Sequence, residues 1–103
     1  MRLDSETEQA LSLLGMARRA GALMIGQDRV FAAIRDGSKL FIVAAVDCSR
    51  NVLRKVLYSN CETLVASNLS RESLGAAVGV INAQIVALPC GSGFAKKLKE
   101  LLK

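Results

Sequence analysis

The chain has 103 residues, with 14 Lys and Arg against 9 Asp and Glu, three cysteines and no histidine. That length fits one domain able to build a core without disulfide or metal staples, and a half-apolar composition excludes a disordered tail. A net charge of +5 favours a polyanionic partner, the lack of histidine removes any Cys–His catalytic pair, and Leu40–Val46, the longest apolar run, is too short to cross a bilayer.

Ser5-Glu6-Thr7-Glu8 has the form of a capping box opening a first helix. Ala10, Leu11, Leu14 and Ala17 follow at helical spacing, and Arg18 and Arg19 suit the negative pole at the helix end. Gly21 fits a C-cap. Ala22 to Ile25 reads as a short strand, and Gly26 opens a second helix that turns Val30, Ala33 and Ile34 inward and stops at Gly37. Leu40 to Val46 shows no alternation, so it reads as a strand buried on both faces of a largely parallel sheet. Asp47 and Ser49 supply turn and cap chemistry for a third helix burying Val52, Leu53, Val56 and Leu57.

Thr63 to Ala66 is a further strand, and Ser70 caps a fourth helix whose inward stripe is Leu74, Ala77, Val78 and Ile81. Gln84 to Leu88 is a strand closed by Pro89. Cys90-Gly91-Ser92-Gly93 turns into a last helix with Phe94, Leu98, Leu101 and Leu102 inward and Lys96, Lys97, Lys99 and Lys103 outside. The order αβαβαβαβα argues a single α/β domain with helices on both faces of its sheet. Cys48, Cys61 and Cys90 are odd in number and form no Cys-x-x-Cys pair. With no signal segment, they point to a reduced, cytoplasmic chain holding no metal.

Several segments resemble one family in order along the chain. Leu14-Gly15-Met16-Ala17-Arg18-Arg19-Ala20-Gly21, then Gly26 opening a helix, is similar to the start of YlxQ-like bacterial proteins, a branch of the kink-turn RNA-binding ribosomal protein superfamily. Ala44-Ala45-Val46-Asp47 resembles the family's strand ending in an aspartate. Leu74-Gly75-Ala76-Ala77-Val78-Gly79 resembles its Leu-Gly-x-Ala-x-Gly helix, and Gly93-Phe94-Ala95-Lys96-Lys97-Leu98 its carboxy-terminal motif. The resemblance implies a three-layer α/β/α sandwich with a central four-stranded mixed sheet. It also implies RNA contact along one edge; with no histidine and no Gly-Lys-Ser or Gly-Lys-Thr, the chain reads as a monomeric, non-catalytic protein without cofactors, whose partner is structured RNA, ribosomal RNA above all. In that family the second helix's amino end enters a widened groove, and the loop before the fourth helix covers extruded bases; unstacked elements of this kind are where base edges can be read. The usual second-helix pattern is Gly-x-Asn-Glu-x-x-Lys, whose Asn and Glu read tandem sheared G·A pairs. Here Gly26 matches, Asp28 stands in part for Asn, Arg29 reverses the charge of Glu, and Ala32 replaces Lys. An aspartate cannot donate as an amide does, so RNA contact at this end would rest on Arg29 and the helix amino terminus.

The candidate RNA-contacting residues form three groups. Gly26, Gln27, Asp28 and Arg29 open the second helix; the plainer reading is an ordinary strand-to-helix turn. Ser49 and Arg50 open the third, where Arg50 and Arg54 either attract phosphates or form a solvated face. Asn68, Leu69, Ser70 and Arg71 precede the fourth. Leu69 either packs on an exposed base or tucks under its loop, and Arg71 either pairs with phosphate or decorates a capped helix. Lys39 is a further possible phosphate contact, whereas the lysines of the last helix read as a solvated face. Two alternatives remain open: a protein-interaction module on the same fold, and a small hydrolase or anion site at the Cys90 turn, where a helix start could lower a thiol pKa.

Overall fold

A computed structural model describes residues 5–102; Lys103, expected from the sequence to decorate the last helix, lies outside the described residues. The elements are α1 (Ser5–Arg19), β1 (Met24–Ile25), α2 (Gln27–Arg35), β2 (Leu40–Ala45), α3 (Arg50–Tyr58), β3 (Glu62–Ala66), α4 (Arg71–Val78), β4 (Ile85–Pro89) and α5 (Gly93–Leu101). This is the alternation the hydrophobic pattern predicts. The capping box is not formed: α1 already includes Ser5, and with its backbone helical the Ser5 hydroxyl accepts from Gln9 Nε2 one turn on, at 3.2 Å.

The strand order is β1-β4-β2-β3. Only β2 and β3 pair in parallel; β4 runs antiparallel to both β1 and β2. The sheet is therefore mixed, and the uniformly apolar β2 does not signal a largely parallel one. The reversal of β4 has a local cause. Gly79 adopts φ +82 and ends α4, and the chain then doubles back along that helix. Val80 N–H donates to Gly75 O at 2.9 Å and Ala83 N–H to Arg71 O at 3.0 Å. The return is tight enough that a Cβ on Gly75 would lie 2.5 Å from Asn82 Cα. Residues 79–83 thus carry the chain back to the end of the sheet where α4 began, so β4 enters opposite in direction to β1, β2 and β3.

Every residue of β2 is buried, and its side chains alternate between two cores. Phe41, Val43 and Ala45 meet Leu14 and Ala17 of α1, Leu74 and Val78 of α4, and Ala95 and Leu98 of α5. Leu40, Ile42 and Ala44 meet Val30 of α2 and Val52 and Val56 of α3. Helices on both faces complete the α/β/α sandwich. Truncating a fully buried leucine such as Leu14 costs about 2–5 kcal/mol in a core of this kind. Against α1, α4 packs closely, because Gly15 has no Cβ; one placed there would sit 3.2 Å from Ala77 O.

Three expected core residues are outside. Leu57 is 60% exposed, since α3 contacts the sheet through Val52 and Val56 and Leu57 falls on the outer side. Ile81 is 90% exposed, because it lies on the return segment rather than in α4. Val46 lies past the last β2 rung and is exposed. Strand β1 is also shorter than expected: only Met24 and Ile25 reach β4.

Candidate nucleic-acid interface

Because β4 runs opposite to the other three strands, β1, β2 and β3 finish at the same end of the sheet where β4 starts. The amino termini of α2, α3 and α4 therefore gather there, beyond the carboxyl ends of the strands, where ligands of open α/β sheets sit. Hydrogen bonds tie the termini together. Gly26 N–H donates to Ile85 O at 3.1 Å, Ala45 N–H to Gln84 O at 2.9 Å and Val46 N–H to Leu69 O at 2.8 Å. Ser49 N–H donates to Gln84 Oε1 at 2.6 Å. Arg71 N–H donates to Asp47 Oδ1 at 2.7 Å, and Arg71 Nε lies 3.7 Å from Asp47 Oδ2.

The three termini differ in how their free N–H groups are met. In α3, the Ser49 hydroxyl accepts from Val52 N–H at 3.3 Å. In α4, the Ser70 hydroxyl accepts from Ser73 N–H at 3.1 Å, while Asp47 takes Arg71 N–H. In α2, the N-cap is Gly26, which has no side chain to offer. Its φ of +92 and ψ of 156 belong to a region essentially reserved for glycine. Gln27, Asp28 and Arg29 are exposed beside it. First-turn donors without a side-chain cap, at the positive end of a helix dipole, suit an anion.

All ten candidate residues converge on this end, but their side chains are not equally available. Arg29, Arg50 and Asn68 are exposed, and Arg71 stays partly open despite its pairing with Asp47. Leu69 is fully buried in the core with Leu74 and Ala66, so its side chain tucks under the loop and offers nothing to a base. The Ser70 hydroxyl is committed to Ser73, accepting from its N–H and donating to its Oγ. Lys39 precedes β2, and six strand residues place it about 20 Å away at the other end of the sheet. The lysines of α5 lie in the layer of α1 and α4, but Lys99 pairs at 2.7 Å with Glu62, which opens β3 at the far end of the sheet, and Lys97 lies near Glu100 at 3.9 Å.

Gln84 went unseen in the sequence. It looked like the first residue of a strand, yet its side chain fixes the start of α3; a polar residue before an apolar run does not announce that role. Asp47 is more than a turn residue, because it joins the β2–α3 turn to the start of α4. Replacing Asp47 with Ala is expected to cost about 1 kcal/mol, as for loss of a helix cap, and to loosen Arg71. Denaturant unfolding measures the first effect, and hydrogen exchange at Arg71 N–H the second.

Beside Asp47, the Cys48 thiol is pushed above its ordinary range. Burial is the largest cause and the Asp47 charge adds to it, while Arg71 and a backbone hydrogen bond at Leu53 act the other way. Cys48 is thus held as a neutral thiol, a poor nucleophile. The folded state binds this proton more tightly than the unfolded chain does. The associated stability is therefore complete below the unfolded thiol's range, near 8.5 for a free cysteine, and is lost as pH rises through the folded value. Unfolding free energy measured from about pH 7 to 10 is expected to fall across the alkaline half, and less so in Cys48→Ala. The Cys90 turn lies at the far end of the sheet, where Cys90 N–H donates to Lys39 O and Ser92 caps α5 by accepting from Phe94 N–H. Among the described residues no group of three Cys, Asp or Glu side chains could hold a metal.

Fold and site together define a small α/β/α domain that opens three helix amino termini and three arginines onto one end of a mixed sheet. The chain belongs to the YlxQ family: it is 33% identical over 93 residues to RNA-binding protein YlxQ of Bacillus subtilis (strain 168), covering 87% of this chain and 91% of the relative. RNA-binding protein YlxQ of Enterococcus faecium is 28% identical over 113 aligned positions, with 97% of each chain covered. No family model matches the sequence. Among solved structures, a Bacillus halodurans protein of unknown function superposes with TM-score 0.76 at 26% identity, covering 91% of this chain and 96% of that one. The Giardia lamblia 15.5 kD RNA-binding protein shares the fold at TM-score 0.68 and 11% identity, over 99% of this chain and 88% of its own.

Proposed function

We propose that this chain is a non-catalytic, monomeric, cytoplasmic RNA-binding protein that recognises a kink-turn-like element, in ribosomal RNA, with the end of the sheet where α2, α3 and α4 begin. The observation that carries this reading is the amino terminus of α2, which has no side-chain cap and is set beside Arg29 at the sheet end that also carries Arg50 and Arg71. It gives backbone donors and fixed positive charge to the same anion. The RNA-binding YlxQ relatives support RNA as the polyanion. The Cys48 thiol at this end is held neutral and is a poor nucleophile.

A mobility-shift series on a ribosomal RNA fragment containing a kink-turn tests the reading. Three or four phosphate contacts give a log–log salt slope of about −3, so affinity is expected to fall about 60-fold between roughly 50 and 200 mM salt. A matched duplex without the internal loop is expected to bind more weakly. Absence of binding by folded protein at the lowest salt rejects the proposal.

A further inference from the structure

Helix α3 carries an outward face that the core does not use. Arg50, Arg54 and Tyr58 recur every fourth residue along it, with Leu53 and Leu57 beside them, and these five residues line an open groove of about 420 Å3. Leu57 is 60% exposed and Tyr58 83%. A bare tyrosine and leucine on a surface helix ask for a partner. The helix contains no carboxylate, and among the described residues neither Arg50 nor Arg54 forms an ion pair. Lys55 lies on another flank, 5.8 Å from the centre of the Phe31 ring, so the groove's charge comes from the two arginines. Arg50 belongs both to this groove and to the end where α2, α3 and α4 begin. From there the line runs about 12 Å along the helix to Tyr58.

We infer that this face of α3 seats a single-stranded RNA segment leaving the structured element, with Arg54 against its phosphates and the Tyr58 ring stacked on a base. Unpaired arginines followed by an exposed aromatic are the combination that holds unstructured strands without reading their sequence. A protein helix would fill the apolar floor but leave two guanidinium groups without acceptors unless it were acidic, whereas an RNA strand satisfies both. The inference rests on the RNA-binding reading above and extends its surface.

Tyr58 is the only tyrosine in a chain without tryptophan, so tyrosine emission reports on this one side chain. Titrating the full chain with oligouridine is expected to quench that emission saturably, and Arg54→Ala to weaken the titration about fivefold. A kink-turn RNA bearing a single-stranded tail is expected to bind about tenfold tighter than the same RNA without it. Tyr58→Ala removes that gain, Tyr58→Phe keeps most of it, and both bind the untailed RNA like the parent. If untailed RNA binds while the tail adds nothing and emission is unchanged, this inference is overturned and the RNA-binding reading stands. If neither RNA binds, both fail. If Tyr58→Ala instead abolishes a concentration-dependent dimer in sedimentation, the groove seats a second copy and the inference is equally overturned.

Discussion

Gly75→Ala is expected to lower the unfolding free energy by about 3 kcal/mol, at the upper end of what overpacking a tight contact costs. In a domain of this size that corresponds to a melting temperature lower by on the order of 10–20 °C. The added methyl would meet Asn82 Cα at 2.5 Å, Asn82 N at 2.8 Å and Asn82 C at 2.9 Å, all backbone atoms with no rotamer to change. Relief requires residues 79–83 to lift away from α4, which stretches the Ala83–Arg71 and Val80–Gly75 hydrogen bonds. That movement also shifts Gln84, whose Oε1 holds Ser49 N–H at the start of α3. The variant should therefore show faster exchange at Ser49 N–H and weaker RNA binding, even under conditions where it stays folded. Gly93→Ala is the control: a Cβ there meets nothing within 4 Å and sits at the first position of α5, so its effect should stay within about 1 kcal/mol. A melting temperature for Gly75→Ala equal to the parent's refutes the account of why β4 runs antiparallel.

Gly75 also shows what could be read from the sequence and what could not. The Leu-Gly-x-Ala-x-Gly pattern was visible as a family resemblance, but its physical reason needs the return segment, a contact made by residues beyond the helix itself. Helices and strands were legible because each has its own period: Leu14 and Ala17 on α1, Val52 and Val56 on α3, and the unbroken run of β2. Strand direction was not, since a strand buried on both faces has the same composition in a parallel or a mixed sheet. Leu57 and Ile81 were misplaced for a related reason. Apolarity alone does not say whether a residue at the margin of a helical stripe lies inward, or whether the helix has already ended. At the candidate site, the groups at 26–29, 49–50 and 68–71 were legible as strand-to-helix turns, and the mixed sheet brings all three to one end. The Gln84–Ser49 and Asp47–Arg71 links were not legible, because each joins residues distant in sequence through a single polar contact.

On the proposed reading, the start of α2 separates two ways of meeting RNA, and substitutions there are expected to shift the protein between them. Gly26 already has the backbone conformation that opens the helix, and residues 27–29 are exposed. The glycine turn that the resemblance leads one to expect is therefore present, whereas Asp28, Arg29 and Ala32 stand where its pattern has Asn, Glu and Lys. On the proposed reading, Arg29 is a phosphate contact in the parent chain. Arg29→Glu alone should then weaken binding several-fold on every RNA and make the log–log salt slope shallower by about 1. Combining Asp28→Asn, Arg29→Glu and Ala32→Lys supplies donors and acceptors for base edges, with the lysine stem lying along the half-buried position of Ala32. Good base contacts each contribute about 1–3 kcal/mol of discrimination in the double-stranded DNA case. The triple variant is thus expected to prefer a kink-turn with tandem G·A pairs over its Watson–Crick counterpart by about 10- to 100-fold more than the parent does. The two RNAs differ only at those pairs, so a competition assay between them isolates base reading from charge. Should Arg29→Glu by itself raise that preference, the α2 end already reads the sheared pairs, and Arg29 hinders recognition rather than anchoring it. Should the triple variant gain no preference, the RNA enters from the α3 and α4 side, and the uncapped start of α2 is not where it is held.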